Sequence, residues 1–373
     1  MNEQQSIPSS NMNKRRLIII GIVALAIVLI AGIVIFTQPK EGEQLQTTKE
    51  QRRQAKMEAI QNGTFSPTTN NTDVPPSTNT TGTSTNTSGS TTTTGTSVVA
   101  GSVSQSEIYG VTTKTDVTYG TGGSTTLKLD VYMPSGVSSP TPAILFIHGG
   151  GFKGGSKGAA TDDGPMLAKH GVAVVSVDYR LSGTAIFPAP LYDVKGAVRF
   201  VKAHASEYNI DPNAIFSLGE SAGGVLASLL GVTEGNATLE GSVGGNLGYT
   251  SNVVGVINIS GSYVASIVDT MSPGIKNAIS AETGCDPVPS TQCESTYEAL
   301  SPETYINSGD SPFIILHGDK DGSVPTIQAT TLDSKLGAVG VASEIYVASD
   351  LAHVGGLLSR YLTQVISFIN ANS

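Results

Sequence analysis

One stretch of the chain has residue types and spacing suited to nucleophilic chemistry: Gly219-Glu220-Ser221-Ala222-Gly223, followed by Gly224. The apolar run from Ala214 to Leu218 leads into it and reads as a strand. Val225 to Leu230 follows and reads as a helix. A serine on so tight a strand-to-helix turn needs small neighbours, and the turn lifts its hydroxyl above the sheet edge. The helix that starts there aims unpaired N–H groups at any anion that forms. With 43 glycines in the chain, Gly-x-Ser-x-Gly alone carries modest weight. Its partners have to decide.

Ser221 needs a base. The five histidines are His148, His170, His204, His317 and His353. The strand and helix order requires serine, then acid, then histidine, which excludes the first three. His317 ends an apolar run and reads as a packed imidazole. His353 stands in the small-residue loop Ser349 to Gly356, after the last predicted strand, and is the base by elimination. The acid is expected from His317-Gly318-Asp319-Lys320-Asp321-Gly322-Ser323-Val324-Pro325. Asp319 and Asp321 both qualify there, and spacing does not separate them. Attack on an ester creates an oxyanion that needs aimed N–H donors, worth roughly 3–4 kcal/mol each. His148-Gly149-Gly150-Gly151-Phe152 directly follows a predicted strand and exposes main chain without side chains. Gly150, Gly151 and Ala222 are the expected oxyanion hole.

The elements that must hold these residues alternate. Three early β-rich pieces, Ser106 to Val111, Asp116 to Tyr119 and Thr126 to Met133, are followed by a continuous apolar strand, Ala143 to Ile147. Ala160 to His170 reads as a helix and Val172 to Val177 as a strand. Asp193 to Tyr208 is an amphipathic helix, with Val194, Ala197, Val198 and Val201 on one face. After the Ser221 strand and helix come strands at Val253 to Ile259, Phe313 to Leu316 and Ser343 to Val347. The last helix falls within Leu351 to Asn370. Such alternation predicts an α/β fold with a mostly parallel sheet and helices on both faces. Ligands belong at the carboxyl ends of its strands, where Ser221 lies. Residues 260–311 break the alternation and are expected to form a cap insertion over that edge, because so long a loop is uncommon without a role.

Composition narrows the partners. Net charge is −9, and no Lys/Arg stripe or aromatic platform suggests nucleic acid. A small, neutral or weakly charged substrate fits better. Without Trp, any aromatic subsite must come from Tyr or Phe. Cys285 and Cys293 suit neither a zinc site nor a Cys-x-x-Cys redox motif. They are a disulfide candidate if the domain is exported. No metal or cofactor is called for.

The amino-terminal part is different. Residues 1–16 are a polar tail ending in Lys14-Arg15-Arg16, expected in the cytoplasm. Residues 17–36 are unbroken apolar sequence, long enough to span a ~30 Å hydrocarbon core, with no small-residue cleavage site after them. A single-pass membrane anchor is expected. Residues 37–105 are largely Thr, Ser, Asn and Gly and read as a flexible stalk. Flanking charges do not fix the orientation, since Lys40, Lys49, Arg52, Arg53 and Lys56 follow the span. The stalk and the cysteine pair favour an inward amino terminus and an extracytoplasmic catalytic domain over residues 106–373.

His148-Gly-Gly-Gly-Phe152, Asp178-Tyr-Arg-Leu181, Asp211-Pro212 through Gly219-Glu-Ser-Ala-Gly-Gly224, and His317-Gly-x-x-Asp321-x-x-Val324-Pro325 followed by His353 together resemble the α/β-hydrolase esterases. The chain is most similar to the bacterial feruloyl/acetylxylan-esterase-like (BD-FAE-like) group related to hormone-sensitive lipase. The similarity covers about residues 115–370 and leaves out the span and stalk. It implies Ser221 as nucleophile, Asp321 as acid and His353 as base, acting on a small ester or an esterified carbohydrate. Phe152 departs from the tryptophan common at that position. A serine peptidase of the same fold and a catalytically silent adhesion module are the rival expectations. The glycine loop argues against the first and the full residue set against the second.

Overall fold

The computed structural model describes residues 103–373, except Pro287. The expected tail, the expected span and nearly all of the expected stalk lie outside the described residues. No helix among the described residues is long and apolar enough to cross a membrane.

Eight strands form one sheet: β1 (Gly110–Gly122), β2 (Thr125–Ser135), β3 (Thr141–Ile147), β4 (Ala173–Val177), β5 (Ile210–Glu220), β6 (Val256–Ile259), β7 (Phe313–Gly318) and β8 (Ser343–Ala348). Their spatial order is β1-β2-β4-β3-β5-β6-β7-β8. β1 and β2 are antiparallel, as are β2 and β4, and the rest pair parallel. Alternation of side chains along β3 builds both cores. Ala143, Leu145 and Ile147 enter one apolar cluster, and Ile144 and Phe146 the other. On the first face pack helices α2 (Ala189–Ala203), α3 (Ala222–Val232) and, further along, α6 (Thr326–Val339). On the second pack α1 (Asp163–Lys169) and α7 (Leu362–Asn372). All of α3 is buried, which explains why it is apolar on every side.

Residues 260–311 form the cap. It contains α4 (Pro273–Thr283) and α5 (Glu294–Ala299) with short 3₁₀ turns at Ala265–Thr270 and Pro302–Thr304. Ser272 caps α4 by accepting the Ile275 N–H, with Pro273 in the first turn and left-handed Gly284 ending it. A disulfide joins Cys285 to Cys293 in the loop between α4 and α5.

Several boundaries differ from expectation. Two of the early β pieces merge into β1, because both pair with β2 across irregularities near Asp116 and Tyr119. Residues 106–109 stay outside it. The expected loop up to Gly356 is present, and the last helix ends later than expected, at Asn372. The boundary at 105/106 also moves. The Val103 N–H donates to Asn370 Oδ1 at 3.0 Å, and Asn370 Nδ2 donates back to Val103 O at 3.0 Å. The Ser104 N–H donates to His170 O at 2.9 Å. The folded body thus already includes Val103.

Candidate active site

β5 passes into α3 at Ser221, whose φ of 50° and ψ of −118° are rare for a residue with a side chain. Such strain costs roughly 1–3 kcal/mol and persists only where neighbours enforce it. The Ser221 N–H donates to Ile259 O at 2.9 Å, and the Gly224 N–H donates to Ser221 O at 2.9 Å. A Cβ at Gly223 would lie 2.0 Å from Ile147 O, so α3 approaches β3 only through glycine. Beneath the turn, Asn258 Nδ2 donates to Gly224 O and to Ser228 Oγ, at 3.1 and 2.8 Å. These bonds tie β6 to the start of α3.

The structure brings His353 to Ser221, with Nε2 to Oγ at 2.8 Å. His353 Nδ1 lies 2.7 Å from Asp321 Oδ2. An ionised carboxylate only accepts, so Nδ1 carries the proton and Nε2 is left to accept from the serine hydroxyl. Asp321 Oδ1 accepts the N–H groups of Ser323 and Val324, both at 2.9 Å. Burial alone would raise its pKa. The His353 bond and the two N–H groups outweigh that and hold it below the usual carboxylate range. Asp319, the other candidate, does a different job: its Oδ1 accepts the Asp350 N–H at 2.8 Å and braces the loop that carries His353. The Val354 N–H donates to Ser260 Oγ on the other side of that loop.

His317 is a core imidazole, fully buried at the end of β7. Its Nε2–H donates to Val324 O at 2.8 Å, and burial lowers its pKa, so it stays neutral. It braces the segment whose N–H groups hold Asp321. His148 is also buried and stacks on Tyr179 at 4.3 Å. Its Nδ1 donates to Gly149 O at 2.7 Å. Gly150 O accepts from the Lys153 and Gly154 N–H groups. A trans peptide points its C=O and N–H in opposite directions, so the N–H groups of Gly150 and Gly151 turn away from those partners. Gly150 itself has φ 111°, and a Cβ there would meet Gly154 O at 2.2 Å.

A family model, BD-FAE, matches residues 129–336 of this geometry. The chain belongs to the BD-FAE family. Its fold is the α/β-hydrolase fold. A probable carboxylic ester hydrolase, LipM, from Mycobacterium tuberculosis is 30 % identical over 275 residues, covering 69 % of this chain and 62 % of LipM. An isoprenylcysteine alpha-carbonyl methylesterase from Arabidopsis thaliana is 27 % identical over 237 residues, covering 61 % and 53 %. The chain spans about half the length of the curated relatives it matches. Among solved structures, a bifunctional GH43-CE protein from Bacteroides eggerthii aligns with TM-score 0.63 and 31 % identity, covering 70 % of this chain and 38 % of that one. A truncated carbohydrate esterase from gut microbiota aligns with TM-score 0.61 and 27 % identity, covering 72 % and 99 %.

In this BD-FAE member two spaces meet at Ser221. One is a partly enclosed apolar cavity of about 30 Å³. Gly151, Ala222 and Val225 line it from the body, and Met271, Ile275, Ala278, Ile279 and Leu300 from the cap. Phe152 lines it too, so the residue that departs from the usual tryptophan still gives an aromatic wall. The other is an open cleft of about 540 Å³, bounded by His148, Gly149 to Gly151, Glu220, Ser323 and His353. Burial first, then the Asp163 charge, push the Glu220 carboxyl up to about 7, against a smaller opposing effect of His353. The cap residues and Glu220 went unread in the sequence. Ile275, Ala278 and Ile279 at helical spacing were the available signal for the first group.

Proposed function

We propose that this chain is a serine carboxylic-ester hydrolase that removes short acyl groups from larger, carbohydrate-type alcohols. The observation that carries the reading is the hydrogen-bonded series Asp321, His353, Ser221 at 2.7 and 2.8 Å, opening on a small cavity and a large cleft. Ser221 Oγ attacks the ester carbonyl while His353 Nε2 takes its proton. Asp321 holds the tautomer and stabilises the imidazolium. The oxyanion is met by the N–H groups of Gly150, Gly151 and Ala222. His353 returns the proton to the departing alcohol, and water then releases the acid from the acyl-enzyme.

Size supports the substrate class. A cavity of about 30 Å³ has room for roughly two water-sized groups, which suits acetyl and its near homologues. The cleft has room for a sugar. The gut-microbiota neighbour is titled a carbohydrate esterase, and another solved neighbour is titled an acetyl ester-xyloside bifunctional hydrolase. Ser221→Ala is expected to lower kcat on p-nitrophenyl acetate by about 10⁶-fold and to abolish fluorophosphonate labelling. Retained turnover by a folded variant would sink the mechanism.

The same reading places the enzyme on a membrane through residues 17–36, with the catalytic domain outside the cytoplasm. The disulfide supports that side, since such bonds persist in oxidising compartments. Full-length chain should resist carbonate extraction from membranes, whereas chain lacking residues 1–36 should be extracted. Extraction of both would remove the anchor from the proposal.

A further inference from the structure

Glu220 bounds the open cleft beside Ser221 but takes no part in the mechanism above. The sheet sets its direction. Leu218, two residues earlier on β5, enters the second apolar cluster, and so does Ile259, which pairs with Glu220 on β6. Glu220 therefore turns to that same face, at the carboxyl edge of the sheet. There the core ends, and the side chain is half-buried. Asp163, in the first turn of α1, and His353, in the loop after β8, both lie near enough for their charges to act on its carboxyl. No neighbour among the described residues donates a hydrogen bond to that carboxyl.

Most of the cleft offers a ligand no free polar side chain. His148 Nδ1 donates to Gly149 O, and His353 Nε2 is engaged with Ser221 Oγ. Among the described residues that bound the cleft, Glu220 and Ser323 keep an uncommitted polar side chain, and of these only Glu220 is an acid. The reaction decides what meets it. The small cavity takes the acyl part, so the alcohol part lies in the cleft, with its ester oxygen at His353 Nε2, from which it collects a proton. The next polar atom of the alcohol, a hydroxyl on the carbon beside that oxygen, then falls between His353 and Glu220. A carboxylate accepts a hydroxyl hydrogen, and a protonated carboxyl both accepts and donates. A carboxyl held up at about 7, by burial first and then by Asp163, can bond a hydroxyl in either state.

We propose that Glu220 is the specificity residue for the alcohol: it bonds a hydroxyl on the carbon next to the esterified one and so selects esters of vicinal diols, as in a partly acylated sugar ring, over esters of alcohols without that hydroxyl. An alcohol lacking it covers the carboxyl and leaves it unpaired, and that difference is what gives a hydrogen-bonding site its discrimination. The inference rests on the ester-hydrolase reading above and names the feature of the alcohol that is read.

The test uses the purified full chain and acetates in matched pairs: 2-hydroxyethyl with 2-methoxyethyl acetate, and trans-2-hydroxycyclohexyl with cyclohexyl acetate. Each ratio of kcat/KM is taken within one protein, so damage to Ser221 or His353, felt by both members of a pair, cancels. The wild type is expected to favour the hydroxylated member of at least one pair by about tenfold or more. Glu220→Ala should lower that ratio about tenfold, and Glu220→Gln, which keeps an accepting oxygen, should retain most of it. Equal ratios in wild type and Glu220→Ala overturn the inference. So does a wild type without preference in either pair, a result that needs no variant to fold. Hydrolysis of the acetates without such preference removes only the role of Glu220; no hydrolysis of any ester and no fluorophosphonate labelling removes the parent reading as well.

Discussion

The cavity and the cleft that meet at Ser221 are made from different parts of the chain. The cleft wall comes mostly from the body, namely the glycine loop after β3, the turn at Ser221 and the His353 loop, with Ile275 from the cap. The far wall of the cavity is side chains of the cap, from Met271 to Leu300. Main chain pinned between strands has little freedom, and a change of side chain hardly moves it. A wall of Met, Ile, Ala and Leu side chains on short helices changes shape with each substitution. The difference teaches where chemistry and where selectivity reside. The first is a property of the sheet edge, and the second belongs to the insertion.

That division can be attacked from both sides. Asp321→Asn strikes what the two spaces share and should lower kcat by about 10⁴-fold on every ester, irrespective of acyl or alcohol. Asp319→Asn should cost far less, since Asp319 only braces the His353 loop. Equal losses from the two would mean the acid has been misassigned.

Both sides also contribute to the pH dependence of stability, through a raised carboxyl in each: Glu220 in the body and Glu282 in the cap. Glu282 has a folded pKa of about 8 against 4.5 for the free side chain. Between those values the native state holds a proton that the unfolded chain has released. The contribution of Glu282 to stability therefore falls as pH rises from about 4.5 to about 8, by roughly 5 kcal/mol, and levels off above that. Urea midpoints measured across this range should drop for the wild type and stay flatter for Glu282→Gln. Parallel curves for the two proteins would refute the assignment. The smallest effect sharpens the comparison most. Ile279→Ala enlarges only the cavity and should shift relative kcat/KM from acetyl toward hexanoyl esters by about tenfold, with no change in alcohol preference. A shift in alcohol preference instead would show that the two spaces are not separate.

The parts legible in the sequence were those where backbone geometry dictates residue type. Gly223 must be glycine because α3 crosses β3 at that point, and Gly150 because its φ is positive and Gly154 O lies against it. Such demands leave fixed spacings, so Ser221 and the glycine loop could be recognised. His353 followed from chain order. Asp319 and Asp321 could not be separated by spacing, since two acids two residues apart in one loop differ only in what they face. The resemblance pointed to Asp321, and the structure puts it, rather than Asp319, against His353. α6 was missed because its buried stripe is thin: Gln328, Ala329, Leu332 and Leu336 among Thr, Ser, Asp and Lys. Glu282 carried no signal at all. An acid in a polar-laced helix looks solvated until the elements packed over it are known.

The clasp between Val103 and Asn370 has a mechanical consequence. Val103, where the described residues begin, is held at α7, which packs on the sheet face opposite α3. Tension applied at Val103 would be borne first by two hydrogen bonds at the last helix and by the apolar packing under it. The turn at Ser221, the Asp321 loop and the cap are not in the line of force.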